Sequence, residues 1–354
     1  MRATTALLAA LLAPALCLGE KTLPGYEWQE VADGVFLHQP VDPLAGPVDG
    51  NSVIIDSGDG VVVIDTHINP AAARATIAKI REALGKPVTH VVNTHWHDDH
   101  TNGNHAYRDA FPDTQVVAHQ ATLKKLEEEW QAMEDQRTEA YARVEPEQII
   151  AAANALDDPE QAIGYRLYAA YVAALKPELP TMQLVYPDTV FEDSLVLGHG
   201  ERRIELKWLG RGNTDGDIIA WLPNERILAT GDMLVAPVPF AFDSPMTDWI
   251  DTLDRLAAID ATIIIPGHGP VQHDKGYLDA VRKLLRSTVN QVRIAQAAGV
   301  DYAGLADAVD LGDAKELFTQ GNADRMYAWQ SYFVAPGLKS AWAGLGYPLP
   351  EEAN

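Results

Sequence analysis

Residues 94–100 read "THWHDDH" and directly follow the apolar run "VTHVVN". In an extended segment, residues two apart point to the same side, so His95 and His97 face one way. Asp99 and His100 can reach a neighbouring point as the chain turns. Imidazole nitrogens and carboxylate oxygens are the donors from which zinc sites are built. The stretch therefore predicts a metal site at the end of a strand.

Two later segments supply the same donor types in the same kind of position. "ATGD" places Asp232 directly after a strand-like run, and "IIIPGHGP" places His268 in a Gly/Pro turn after another. Each segment alone is typical of a solvated turn. Together with 94–100, and each at a strand end, they indicate one site that is assembled from distant parts of the chain.

The segments "HWHDDH", "GRGNTDGD", "ATGD" and "PGHG" resemble those of the metallo-β-lactamase superfamily, over roughly residues 30–275. The resemblance implies an α/β fold, an αββα sandwich with metals at one edge of its two sheets. It also implies that Asp99 is catalytic, orienting the attacking water and taking part in proton transfer. The implied ligands are His95 and His97 for the first metal, Asp99, His100 and His268 for the second, and Asp232 bridging the two.

At position 213 the sequence departs from that family. Most members carry histidine there as the third ligand of the first metal, whereas this chain has Asn213. An amide oxygen is a neutral ligand that suits oxygen-preferring ions better than zinc. Three arrangements stay open: Asn213 binds weakly or supports a ligand, the first site is often empty, or the pair holds iron or manganese. The cofactor is therefore expected to be one or two zinc ions, with iron or manganese as the alternative.

The composition narrows the possible partners. The chain has 354 residues, 47% hydrophobic content and a formal charge of -23. Such a composition is typical of a globular protein, and the negative charge argues against nucleic acid and anionic lipid surfaces. No run after the N-terminus has the length of a membrane helix. We expect a small-molecule substrate, and the sequence does not indicate the oligomeric state.

Residues 1–19, "MRATTALLAALLAPALCLG", have the early arginine, short apolar run and small residues of a secretory signal peptide. Cleavage after Gly19 or after Cys17 fits this pattern. Cys17 is the single cysteine of the chain, so we expect a mature protein without disulfides. The prediction is an exported protein, either periplasmic or secreted.

Strand and helix patterns divide the rest of the chain. Strand-like runs and a helix at "NPAAARATIAKIREALG" open a catalytic domain that we predict over 20–275. A helical insertion, or a lid, is expected over about 120–180. Residues 276–354 are predicted to be a helical extension packed on the same domain.

The predicted function is hydrolysis of a small ester, lactone, amide or β-lactam by water activated on a metal. The alternatives are a β-lactamase proper, or a metal- or ligand-binding protein of the same fold with little catalytic activity. Phe240, Phe242 and His67 are candidates for the substrate pocket, with core packing or a surface role as the other interpretation. Asp65, at a strand end, is interpreted as a buried acid that supports the site, with metal ligation as its alternative.

Overall fold

The computed structural model describes residues 25–46, 48–130, 139–198, 200 and 202–349. The predicted signal peptide, residues 1–19, lies outside the described residues. None of the helices in the described ranges combines the length and apolar character that crossing a bilayer requires.

The N-terminal half builds a seven-stranded mixed sheet. Its strands are adjacent in chain order, antiparallel from β1 to β4 and parallel from β4 to β7. The switch to parallel pairing places the carboxyl ends of β4, β5 and β6 at one edge of the sheet. The strands are β1 (Tyr26–Ala32), β2 (Val35–Pro40), β3 (Ser52–Asp56), β4 (Val61–Ile64), β5 (Val88–Val92), β6 (Gln115–His119) and β7 (Thr189–Phe191).

The second sheet has five strands in the order β12-β11-β10-β9-β8. Only β11 and β12 run parallel, so their carboxyl ends also share one edge. The strands are β8 (Ser194–Leu197), β9 (Ile204–Trp208), β10 (Ile218–Leu222), β11 (Ile227–Ala229) and β12 (Ile263–Ile265).

The two sheets pack face to face because alternate residues of their strands are apolar. In β3, Val53 and Ile55 belong to the core between the sheets, whereas Ile54 belongs to the core under the helices of the outer face. In β10, Ile218 faces inward and Ile219 faces the helices on the other side. Both faces of each sheet are therefore covered. The predicted αββα sandwich is confirmed.

Residues 139–143 are helical. The described residues also include twelve α-helices with defined bounds. In chain order they are α1 (Pro70–Ala83), α2 (Asp98–Thr101), α3 (Asn104–Ala110), α4 (Gln120–Lys125), α5 (Pro146–Asn154), α6 (Pro159–Leu175), α7 (Met246–Ala257), α8 (Gly276–Ala297), α9 (Leu305–Ala308), α10 (Gly312–Thr319), α11 (Ala323–Ala328) and α12 (Ala335–Gly344). Two π-helical turns continue α4 and α11, at Leu126–Trp130 and Trp329–Val334. Helices α1 and α3 cover the first sheet, and α7, α8 and α12 cover the second.

Asn51, in the loop before β3, joins the two sheets at the edge where the strand ends meet. Its side-chain amide donates to the carbonyls of Pro266 and Gly269, at 2.9 and 2.8 Å, and its backbone N–H donates to the carbonyl of Gly267 at 2.7 Å. Each of these bonds satisfies a polar group that would otherwise be buried without a partner. The turn after β12 is thereby held against the first sheet.

Candidate metal centre

Six side chains meet at this shared edge in two groups of three. Within each group, one donor atom per residue lies within 4.8 Å of the others. The groups are His95, His97 and Asp232, and Asp99, His100 and His268. All six are residues that the family resemblance implied as ligands, and the tertiary structure brings their donor atoms together.

The strand ends determine which side chains reach this point. The segment 94–100 follows β5, Asp232 lies in the 3₁₀ turn Gly231–Met233 after β11, and His268 follows β12. A Cβ at Gly267 would lie 2.1 Å from Asp232 Oδ1, so any residue other than glycine would clash with this carboxylate. The first glycine of "PGHG", Gly267, is therefore required for Asp232 to occupy its position in the site.

Asp65 holds the second group in place from behind. Its Oδ1 accepts the Thr94 N–H at 2.8 Å, and its Oδ2 accepts the Thr94 hydroxyl at 2.7 Å and contacts His100 Nδ1 at 2.8 Å. The backbone of Asp65 has φ of 61°, a strained value for a residue other than glycine. With Nδ1 of His100 paired, its Nε2 is the atom turned toward His268 and Asp232.

Hydrogen bonds also decide which nitrogen of His95 and His97 faces the centre. The Thr94 hydroxyl donates its one proton to Asp65, so it can only accept from His95 Nδ1, 3.1 Å away. Nε2 of His95 is then unprotonated, buried and without a hydrogen-bond partner among the described residues. His97 Nε2 lies 3.0 Å from Asp243 Oδ2, which leaves Nδ1 of His97 as its free donor atom. Asp243 itself belongs to neither group of donor atoms.

The donor spacing fits a divalent cation. Tetrahedral ligands about 2.1 Å from a metal lie about 3.4 Å from one another. His100 Nε2 is 3.3 Å from Asp232 Oδ1, and His268 Nε2 is 3.4 Å from the same oxygen and 3.1 Å from Asp99 Oδ2. His95 Nε2 lies 3.8 Å from Asp232 Oδ2, too far for a hydrogen bond but suited to two ligands of one ion. Each of the two groups could therefore hold a divalent cation, and Asp232 has one oxygen near His95 and the other near His100 and His268.

Opposite charges are balanced inside this buried cluster. Burial disfavours the imidazolium of His268, but the carboxylates of Asp232 and Asp99 outweigh it and raise its pKa to about 9. The same carboxylates raise the pKa of His100 well above its usual range against burial, and the two histidines lower the pKa of Asp99. Burial, reinforced by the charge of His100, lowers the pKa of His95. In the metal-free protein, protons on His100 and His268 occupy the place of a cation.

Asn213 is buried beside this cluster, and its contacts run to the loop 240–243. Its Oδ1 accepts the Phe242 N–H at 3.2 Å, and its backbone carbonyl accepts the Asp243 N–H at 3.3 Å. Its Nδ2 has no hydrogen-bond partner among the described residues. The turn around Asn213 is braced by the carboxylate of Asp217, which accepts the N–H and the hydroxyl of Thr214. The amide oxygen of Asn213 is therefore engaged by the loop that carries Asp243.

A cleft of about 450 Å³ opens above the donor groups. Phe240 and Phe242 line it, as the sequence analysis expected of pocket residues, together with His97, Asp99 and Asp232. The other lining residues are Val48, Ile68, Asp98, Gly164, Leu167, Tyr168, Tyr171, Tyr327 and Tyr332.

His67 lies elsewhere. It is fully buried behind the site, with Nε2 3.2 Å from His38 Nδ1 and Nδ1 2.9 Å from the Gly50 carbonyl, and it does not line the cleft.

Sequence reasoning missed Asp243 and the tyrosines of the cleft. Asp243 directly follows Phe242 in the loop already singled out, so its position was the available signal. Tyr168, Tyr171, Tyr327 and Tyr332 lie on helical segments, where no local pattern separates a cleft residue from a surface one.

Comparison with known proteins identifies the family of this arrangement. Residues 45–268 match the model of the metallo-β-lactamase superfamily. A linear primary-alkylsulfatase from Pseudomonas sp. is 22% identical over 244 residues, which cover 67% of this chain and 44% of that longer enzyme. A metallo-β-lactamase type 2 from Bacteroides fragilis is 22% identical over 278 residues, covering 75% of this chain and 89% of the relative.

Solved structures show the same fold. The metallo-β-lactamase from Pontibacter korlensis superposes with a TM-score of 0.54 at 20% identity, covering 74% of this chain and 99% of that one. The mono-zinc form of the metallo-β-lactamase FIM-1 from Pseudomonas aeruginosa gives 0.52 at 18% identity, with 75% and 96% covered. At this level of identity the likeness concerns the fold.

Metal uptake is expected to release protons, because His100 and His268 must lose theirs to become ligands. At pH 7 His268, with a pKa of about 9, carries a proton in the metal-free protein. We expect net release of protons at pH 7 and an apparent affinity that rises with pH as long as these two histidines carry protons. Calorimetric titration of the metal-free protein in buffers of different ionisation enthalpy measures the number. Uptake without net proton release at pH 7 would contradict the charge balance.

Replacing Asp243 with asparagine should weaken one of the two metal affinities. The carboxylate fixes Nε2–H of His97 and makes Nδ1 more basic, and loss of such a partner costs about tenfold or more in affinity. Stepwise affinities from chelator competition measure the effect, and only one of the two steps should change. Asp215→Asn is the matched control, since Asp215 is similarly exposed but pairs with Arg211. Two unchanged steps in Asp243→Asn would show that this contact has no part in ligand positioning.

Proposed function

The chain belongs to the metallo-β-lactamase superfamily, whose relatives are metallo-hydrolases, and from that membership we propose an exported, zinc-dependent hydrolase of a small ester, lactone, amide or β-lactam. The observation that supports this function is the pair of donor groups, each a triad of histidine and aspartate side chains, at the floor of an open cleft. A purely structural metal site is closed by its ligands, whereas a catalytic one stays accessible.

The residues of the site have separable tasks in this proposal. His95, His97 and Asp232 would hold one cation, and Asp99, His100 and His268 the other. A divalent cation bound there supplies a Lewis acid and makes water nucleophilic at neutral pH. Asp99 reaches the cleft, and His100 and His268 lower its pKa against the effect of burial, so it is an ionised acceptor. Its carboxylate can orient water and take up a proton next to the reacting group.

Zinc is proposed because four of the six donors are imidazoles. Imidazole is a better ligand for zinc than it is for magnesium or calcium. Two ions are proposed because each group has three donors. Iron or manganese is the alternative, and metal content measured on the purified protein decides between them.

Two alternatives have support of their own. The β-lactamase alternative rests on the relatives of that name, such as the one from Bacteroides fragilis. Sulfate-ester hydrolysis rests on the relative named linear primary-alkylsulfatase, which shares 22% identity. A non-catalytic binding protein is disfavoured because the donor groups open onto a cleft with room for a substrate beside the metals.

Asp99→Ala should abolish hydrolysis while the protein stays folded. Removal of a positioned acid–base group costs about 10²- to 10⁴-fold in kcat. The measurement is turnover of nitrocefin, lactones, thioesters, aryl esters and an alkyl sulfate, with thermal unfolding and metal content recorded for each variant. Asp59→Ala, at an exposed hairpin position, is the control and should retain full activity. Full activity of Asp99→Ala would refute the hydrolase proposal, as would a metal-loaded wild type that turns over none of the substrates in the panel.

Export predicts a mature protein that is shorter than the gene product. The N-terminus of protein recovered from the periplasm or medium of an expressing culture should begin after Gly19 or Cys17. Sequencing of that N-terminus by mass spectrometry measures the cleavage point. Full-length protein confined to the cytosolic fraction would show that residues 1–19 do not direct export.

A further inference from the structure

The walls of the cleft differ in chemistry from its floor. The floor carries the metal-ligand candidates, whereas aromatic side chains form most of the walls: Phe240, Phe242, Tyr168, Tyr171, Tyr327 and Tyr332. We propose that the part of the substrate that does not react is apolar and bears no negative charge. This inference rests on the proposed hydrolase function and specifies its substrate class.

One wall is a continuous packed set of rings. The ring centroids of Phe240 and Tyr332 are 5.0 Å apart, those of Phe242 and Tyr332 5.7 Å, and those of Tyr327 and Tyr332 5.9 Å. Phe240 also contacts the ring of His268 at 5.3 Å, so the wall reaches down to the floor. Aromatic groups in such contact present a large apolar surface with little conformational freedom to lose on binding.

Another part of the cleft lining comes from the helical insertion. Tyr168 and Tyr171 lie on α6, and the Tyr171 hydroxyl hydrogen-bonds the carboxylate of Asp98. At Gly164 of the same helix, a Cβ would lie 2.6 Å from the Tyr327 hydroxyl. The insertion therefore touches the C-terminal helices directly, and both line the cleft.

The charges around the cleft are unfavourable for an anionic substituent. No lysine or arginine is found among the described residues that line it, whereas Asp98 lies in the wall. The arginine of the "GRGNT" turn, Arg211, is paired with Asp215 and Asp248. A carboxylate held between these walls would lose hydration without gaining a cation, which is costly. An apolar group at the same place gains by leaving water.

Two esters that differ only in a remote carboxylate test this specificity. 4-Nitrophenyl hexanoate has a neutral acyl chain, and the mono-4-nitrophenyl ester of adipic acid ends the same chain in a carboxylate. We expect kcat/KM of the metal-loaded protein to be at least about tenfold higher for the hexanoate, the factor that about 1.4 kcal/mol supplies.

Introducing a cation into a wall should reduce that preference. Phe242→Lys and Tyr168→Lys change two separate parts of the cleft lining, at side chains that are 41% and 44% exposed and can accept lysine without loss of the fold. Each should bring the two kcat/KM values closer by about tenfold. Tyr186→Lys is the matched control, since Tyr186 is 36% exposed and does not line the cleft. It adds the same charge and should leave the ratio unchanged.

The outcomes separate the two proposals. Equal kcat/KM values for the two esters in the wild type, or ratios in Phe242→Lys and Tyr168→Lys that move no more than in Tyr186→Lys, would overturn the substrate class and leave the hydrolase standing. If the fully metal-loaded protein hydrolyses neither ester and none of the substrates in the panel, the hydrolase proposal and this inference are both overturned.

Discussion

The rest of the site depends on one electrostatic constraint. Carboxylates and imidazoles are buried together where the two sheets share an edge. Asp99 and Asp232 lie within 3.5 Å of His100 or His268, in surroundings where unpaired charge is costly. Protons on the histidines balance the acids in the metal-free protein, and divalent cations can replace them. Such a cluster is stable only if the scaffold holds both halves together.

The scaffold does so through short polar contacts from outside the donor set. Asp65 connects the end of β4 to Thr94 and His100, and Asn51 connects the first sheet to the turn that carries His268. The sandwich brings the strand ends to one edge, and these contacts then orient the imidazoles. His95, His97 and His100 each turn one ring nitrogen toward the same region because a hydrogen bond holds the other ring nitrogen. His268 is oriented through the contacts of its turn with Asn51.

Asn213 connects the donor groups to the lining of the cleft. Where most of the family has a metal ligand, this chain has an amide that holds the loop 240–243 through Phe242 and Asp243. That loop carries both the carboxylate that pairs with His97 and an aromatic wall of the cleft. The departure from the family pattern therefore affects ligand positioning and cleft shape through the same few hydrogen bonds.

The sequence by itself determined the candidate donors, because the segments "HWHDDH", "ATGD" and "PGHG" are local patterns with strict chemical requirements, and the resemblance of these segments to the metallo-β-lactamase superfamily implied the sandwich. Asp65 as a supporting acid also followed from its place at a strand end. Only the tertiary structure decided which nitrogen of each histidine is free, what Asn213 contacts, that Asp243 reaches His97, and that His67 lies behind the site. Tyr168 and Tyr332 meet at the cleft from helices more than 150 residues apart in the chain. Such meetings arise from packing between distant segments, which no local pattern encodes.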